Sequence, residues 1–515
     1  MRTADDTQLR PTPVTFHTFS STVSRVIAHV FSCPAMLGSL LAGAVFVAGR
    51  LFNVDPDLWW HIKVGDLILA THRWPTTDIY SFTVPGQPWL AYEWLGDVLL
   101  AGASHAAGLR GLDALLIAMG SAVLVALYAL ASLTSGNSKA GFVAASILFT
   151  LAAASFSMRP QMLGYLFLVL TLIALERFRK GKRGMLWLLP FLMLFWVNTH
   201  GSWIIGLGTI FVYWVCGLVD FHAGSVAGRR WSLSERQTIS SVFLFCVATL
   251  PFTPYGTRIA ASPFEFAFSL PLNVTYIQEW KPMPFNLPGG KLFLILVLSV
   301  ILVQILQGRT WRLETLTLFL FGTIMACLHV RFVLIFVPFF APVLADPLAR
   351  WIPPYNRGKD KFLLNAVLIA CVVMGVVRYF PSGEELERLN AEHFPAAAVE
   401  YLEHHSVPEP MYNSYGFGGY LVWSRGPEHK VFIDGRGDVY ERGGVLADYI
   451  HISGLRPGTL AVLDAYGVRS CLVERDEPLA TLLASSSRWQ RIYVDDVSSL
   501  FIATKPSEMS LPKAP

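Results

Sequence analysis

Two carboxylates and an imidazole stand close together in Asp55-Pro56-Asp57-Leu58-Trp59-Trp60-His61. A carboxylate can take the proton from an attacking hydroxyl as a bond forms. Asp55, Asp57 and His61 also supply the donor types that hold a divalent cation such as magnesium or manganese, although the spacing alone is a weak signal. Asp55 has a plainer use as the cap of a helix begun at Pro56, with Asp57 at its positive end. Both readings stay open. Asp78, Glu93 in the PWLAYEW run, and Asp97 follow; Glu93 serves equally well as an interfacial charge.

Three short polar turns carry the next candidates: Ser157 to Gln161 with Arg159, Asn198 to Ser202 with His200, and His329 to Arg331. A guanidinium binds phosphate oxygens and stabilises charge on a departing phosphate. Such a leaving group needs no general acid, so one base and cationic stabilisation suffice. Arg159, Arg331 and His200 are therefore expected on the donor-phosphate side, with Asp55, Asp57 and Glu93 as candidate bases. The duller alternatives are headgroup anchoring for the arginines and turn closure for the histidines. Asn413, Asp434 and Arg436 are candidates for acceptor contact; the acceptor-binding residues are otherwise unknown.

The elements that must position these groups are mostly apolar. Of 515 residues, 53% are hydrophobic and 15% charged, and the mean hydropathy is +0.48. A soluble chain carries roughly 25% charged residues, so much of this surface does not face water. The 15 tryptophans suit two interfacial belts. Membrane lipids are expected partners and nucleic acid is not. About eleven spans of adequate length are centred on 36–52, 112–133, 140–157, 162–176, 185–198, 203–220, 238–252, 291–307, 314–329, 331–347 and 362–379.

Charge orients them. Alternate connections hold Lys139, the 177–183 cluster, Arg229, Arg230 and Arg236, Arg309 and Arg312, then Arg350 to Lys361. The positive-inside bias makes these cytoplasmic. The first stretch, 1–34, is expected to be a cytoplasmic tail without a cleavable signal, with a helix on the membrane surface at 16–31. The three polar turns and two long segments, 53–111 and 251–290, then lie outside the cytoplasmic membrane. From 381 to 515 the runs KVFID, SCLVE and RIYVDDVSSLFIA alternate with helical stretches, as in a small exoplasmic α/β domain. The fold class expected is an α-helical polytopic membrane protein with that domain at its C-terminus. Six cysteines give no disulfide framework.

The stretch DPDLWWHIKVGDLI…WPTTDIYSFTVPGQPWLAYEWLGDVLL, from Asp55 to Leu100, resembles the GT-C superfamily of integral membrane glycosyltransferases. Within it, the chain is similar to bacterial members related to the protein mannosyltransferase and lipid A aminosugar transferase families. The likeness covers about the first three-quarters of the chain. It implies a GT-C-like membrane domain over 35–380. It also implies transfer of a hexose or pentose from a polyprenyl-phosphate sugar to a glycan, lipid or protein acceptor. By position, the superfamily's first-loop acid falls on Asp55 or Asp57 and the second on Glu93. Its phosphate-binding arginines fall on Arg159 and Arg331, with no motif to fix the match. The WWD-type signature of oligosaccharyltransferases is missing, so sequon recognition is not implied. A flippase for a lipid-linked glycan would show paired repeats and midplane binding residues; no repeat is visible here. A non-catalytic membrane scaffold would tolerate loss of Asp55 and Asp57.

Overall fold

A computed structural model describes residues 29–49, 55–308 and 310–504. Most of the interfacial helix expected at 16–31 lies outside the described residues. The first helices are α1 (Cys33–Gly49), α2 (Asp57–Thr71), α3 (Trp94–Ser135), α4 (Ser138–Ala152), α5 (Gln161–Arg179), α6 (Leu189–Val197) and α7 (Trp203–Cys216). They are followed by α8 (Leu233–Thr249), α9 (Arg258–Ser269), α10 (Pro271–Tyr276), α11 (Pro288–Gln307), α12 (Leu313–Leu328), α13 (Val333–Trp351) and α14 (Phe362–Tyr379).

Each expected apolar segment falls on one of these helices. Five helices are long and apolar enough to cross a membrane: α3, α5, α11, Val330–Trp351 around α13, and α14. Shorter apolar helices underlie five more segments: α1, α4, Gly184–Val197 around α6, α7 and α12. The remaining segment, 238–252, coincides with α8. The reason for helix is physical: in lipid every backbone polar group must be satisfied within its own segment. α14 makes the case plainly. Only 6% of its apolar window is buried, and Leu363, Val367, Met374 and Val377 stand exposed. Such a surface needs an apolar solvent.

The expected outer segment 53–111 is largely helical instead of loop. α2 fills its first part, and α3 begins at Trp94, well before the span expected at 112–133. α3 is broken at Gly108, whose φ of +57° and ψ of −139° lie outside helical space. Glycine takes that conformation without a Cβ penalty. The piece before the break belongs to the site end of the molecule.

The helices carry two sets of connections to opposite ends. α5 has 19 residues and is about 28 Å long; Arg159 precedes it and Arg179 ends it. Around Arg179 the basic connections gather. Arg179 pairs with Glu314, and Arg312 grips Glu176 at 2.7 and 2.9 Å. A small sheet of β1 (Phe221–Ala223), β2 (Val226–Gly228) and β3 (Trp311–Arg312) ties two of those connections together.

Beyond α14, four strands form one sheet: β4 (Met411–Asn413), β5 (Ser470–Glu474), β6 (Trp489–Val494) and β7 (Ser498–Ala503), in the order β4-β5-β7-β6. β4 and β5 are parallel and the other pairs antiparallel. KVFID, expected as a strand, stays outside this sheet. Val431 bridges to Ser81 alone. The Asn413 side chain supplies the missing partner, accepting from Phe432 N–H at 2.8 Å and donating to the Ile433 carbonyl at 2.8 Å. A single hydrophobic cluster joins Trp60, Tyr80 and Trp89 of the first outer segment to Phe432, Tyr440, Leu472 and Phe501. The C-terminal region and that segment thus share a core.

Candidate functional site

Asp55 serves two purposes with its two oxygens. Oδ1 accepts the Asp57 N–H at 3.0 Å, which supports the start of α2. Oδ2 lies 2.5 Å from Nε of Arg159. Nη2 of the same guanidinium is 3.1 Å from Asp57 Oδ2, and Nη1 is 3.0 Å from Glu279 Oε1. Arg159 therefore binds three carboxylates from two outer segments. Glu279 was not singled out from the sequence; its only signal was the polar run Tyr276 to Lys281 in a long outer segment.

Beside this cluster lies a second one. Glu93 is the residue before α3, and its carboxylate makes no capping bond there. Nε2 of His200 is 3.4 Å from Glu93 Oε1, and Nε2 of His61 is 3.6 Å from Oε2. His61 Nδ1 in turn lies 2.5 Å from Asp97 Oδ1. His200 Nδ1 accepts the Ser202 N–H at 3.1 Å. Trp94 Nε1 donates to Asn198 Oδ1 at 2.8 Å, which fixes the His200 turn against the start of α3.

Arg331 is placed differently from Arg159. Its guanidinium lies over the Trp280 ring, 4.3 Å from the centroid. Among the described residues no carboxylate stands within ion-pair distance of it. The Val330 N–H donates to the Lys281 carbonyl at 2.9 Å, and His329 Nδ1 lies 2.5 Å from the Trp280 carbonyl. The turn before α13 and the second outer segment are thereby joined.

Burial dominates the electrostatics. It pushes the Glu93 carboxyl up to about 8, against the opposing pull of Arg159 and Arg331. It pushes Asp57 to about 7, again against Arg159, and Asp438 to about 6. His200 falls to about 3 through burial, then Arg331 and Arg159. His61 falls well below its usual value for the same first cause, with Arg159 and His200 adding to it. Both imidazoles are neutral at ordinary pH.

The C-terminal region closes over these groups. Gly435 is packed on Asp57 so tightly that a Cβ would stand 1.7 Å from Oδ1. Arg436 holds this segment in place. It pairs with Asp78 at 2.7 Å and Asp434 at 2.6 Å, and lies over the rings of Tyr80 and Trp89. Glu441 accepts from the backbone N–H groups of Leu272 and Asn273 at 2.7 and 2.8 Å. Asn413, Asp434 and Arg436, candidates for acceptor contact, are 0%, 0% and 2% exposed. Internal partners occupy them, and they offer no face to an acceptor.

The structure brings Asp55, Asp57, Glu93, Arg159 and His200 together, with Arg331 over Trp280 and close enough for its charge to act on Glu93 and His200. The expected cation set of Asp55, Asp57 and His61 does not converge. His61 turns to Glu93 and Asp97, while Arg159 stands between the two aspartates. Among the described residues no group of three His, Cys, Asp or Glu is arranged to hold a metal ion. His200, expected on the phosphate side, faces Glu93.

No protein-family model and no curated protein sequence matches the chain. Solved structures do. An oligosaccharyltransferase of Archaeoglobus fulgidus, tethered with an acceptor peptide, is similar at a TM-score of 0.49 and 11% identity, over 87% of this chain and 70% of that one. AglB from the same organism, in complex with an inhibitory peptide and a dolichol-phosphate, gives 0.47 and 10%, over 92% and 74%. ArnT from Cupriavidus metallidurans bound to undecaprenyl phosphate gives 0.43 and 15%, over 94% and 98%.

Proposed function

We propose that the chain is a membrane glycosyltransferase. It moves a hexose or pentose from a polyprenyl-phosphate donor to a hydroxyl of a glycan, lipid or protein acceptor at the outer face of the cytoplasmic membrane. One observation carries this reading. Among the described residues Glu93 has no guanidinium partner and Arg331 no carboxylate partner, yet the Glu93 carboxyl lies within the field of the Arg331 guanidinium. A carboxyl free of an ion pair, in the field of a cation free of one, suits displacement of a phosphate by a hydroxyl.

In this reading Glu93 takes the acceptor hydroxyl proton as the oxygen attacks the anomeric carbon. The bond from that carbon to the phosphate oxygen breaks, and its electron pair leaves with the phosphate. Arg331 binds the phosphate and stabilises the added charge. Arg159 organises Asp55, Asp57 and Glu279 around the donor side, and Asp57 is the alternative base. Eleven spans, with the basic connections in the cytoplasm, would put the N-terminus inside and the 381–515 region outside, over the site. The gathering of the basic connections at the end of α5 away from Arg159 supports that orientation.

The test uses purified protein in lipid with a panel of radiolabelled undecaprenyl-phosphate sugars and a crude membrane acceptor fraction. Consumption of one donor by wild type, lost in Glu93→Gln with folding intact, is the expected result. Labelled lipid crossing the bilayer without consumption would replace the transferase by a flippase. No effect in either assay would leave a scaffold.

A further inference from the structure

His200 contacts its surroundings through both ring nitrogens, and one contact fixes the proton. The Ser202 main-chain N–H lies 3.1 Å from Nδ1 and can only donate. Nδ1 must therefore carry a lone pair, and in the neutral ring the proton sits on Nε2. That nitrogen is 3.4 Å from Glu93 Oε1. The Ser202 hydroxyl is 2.8 Å from Nδ1 and accepts the Trp196 indole N–H at 3.0 Å. From the other side His61, tied at Nδ1 to Asp97, faces Oε2.

We infer that His200 is a positioning residue: locked by the Ser202 backbone as the Nε2–H tautomer, it orients the Glu93 carboxylate toward the acceptor hydroxyl. The inference rests on the reading of Glu93 as the base. His200 differs from the phosphate-side group expected from the sequence: Nδ1 accepts the Ser202 N–H, and Nε2 faces Glu93 at 3.4 Å. A neutral donor suits this place. An imidazolium would pair with Glu93 and weaken it as a base, and the low proton affinity of His200 opposes that.

Two side-chain amides separate the tautomer from mere packing. Glutamine can present its amide N–H near the position of Nε2, and asparagine near that of Nδ1. With the radiolabelled undecaprenyl-phosphate sugar that wild type consumes, His200→Asn should lower kcat at least about tenfold with donor KM within about twofold. His200→Gln should keep kcat within about threefold of wild type. A loss confined to donor KM would make His200 a donor ligand and overturn the inference. So would equal kcat losses in both variants.

Glu93→Gln distinguishes the two levels of argument. If it turns over like wild type, the base is elsewhere and the proposed chemistry fails. If it is inactive while His200→Asn is unaffected, only the positioning role fails. Solid-state nitrogen NMR of histidine-labelled protein reads the tautomer without turnover, with the His200 signals identified by their loss in His200→Gln. A protonated Nδ1 overturns the inference whatever the activity.

Discussion

Gly435 lies against Asp57 so closely that a Cβ on the glycine would stand 1.7 Å from the carboxylate oxygen Oδ1. The C-terminal region thus forms a wall of the candidate site. In Gly435→Ala either the carboxylate or the segment must move, and the 3.1 Å contact of Asp57 with Arg159 should go with it. Donor turnover is expected to fall at least about tenfold, as misplacement of reacting groups does, while the protein still elutes as a single folded species. Unchanged turnover would mean that the segment does not bound the site.

Arg159 neutralises a cluster that is otherwise acidic. Removing one partner of a buried charge pair costs about 3–5 kcal/mol, because the other charges remain buried. Arg159→Ala should therefore lower the thermal unfolding midpoint in detergent markedly. Arg159→Lys should recover only part of the loss, since an ammonium lacks the planar fork that reaches Asp55, Asp57 and Glu279 together. Thermal scans of the two variants beside wild type check both statements.

In the proposed reaction Glu93 can take a proton only when ionised. With its carboxyl raised to about 8, the ionised fraction grows from about 1% at pH 6 to about half at pH 8. The rate of sugar transfer should rise across that window, and Glu93→Gln should remove about 10²- to 10⁴-fold of it. Stability runs the other way. A carboxyl whose folded pKa lies above its unfolded value of 4.5 favours the folded state fully below that value, and the contribution disappears as pH rises through about 8. Glu93→Gln should flatten the fall in unfolding midpoint between pH 6 and 8.5.

Among the described residues Arg331 lies over the Trp280 ring and has no ion-pair partner. Donor phosphate would give it charge-assisted hydrogen bonds, each worth about 1.5–3 kcal/mol. Arg331→Ala should raise donor KM by about 10- to 100-fold, with little change in the unfolding midpoint. Titration of turnover against donor concentration checks this. An unchanged donor KM would assign the phosphate to another cation.

Arg436 is held between Asp78 and Asp434 with a side chain 1% exposed. Arg436→Met leaves two carboxylates buried and unpaired, at about 3–5 kcal/mol. The segment around 431–441 should then become accessible to limited proteolysis. Adding Asp78→Asn to Arg436→Met should restore part of the resistance, because one of the stranded charges is gone. Equal protection in wild type and Arg436→Met would show that the shared hydrophobic core alone holds the segment.

The sequence by itself determined where the apolar helices lie, because lipid leaves a long apolar helix as nearly the only way to satisfy the backbone. Asp55, Asp57, Glu93, Arg159 and Arg331 were also legible as a set, since polar residues beside apolar spans are few and fall on one side of the alternation. Only the tertiary structure decided their partners. Glu279 reaches Arg159 from a distant outer segment, and Arg436 meets Asp78 from the far end of the chain. His61 follows Asp57 by four residues, yet its ring turns to Asp97. Val431 pairs with the first outer segment in place of the sheet because the Asn413 amide occupies the sheet side. Hydropathy periodicity reports which face of a helix meets an apolar phase. Which polar groups meet at its end depends on how the helices pack, and no local spacing encodes that.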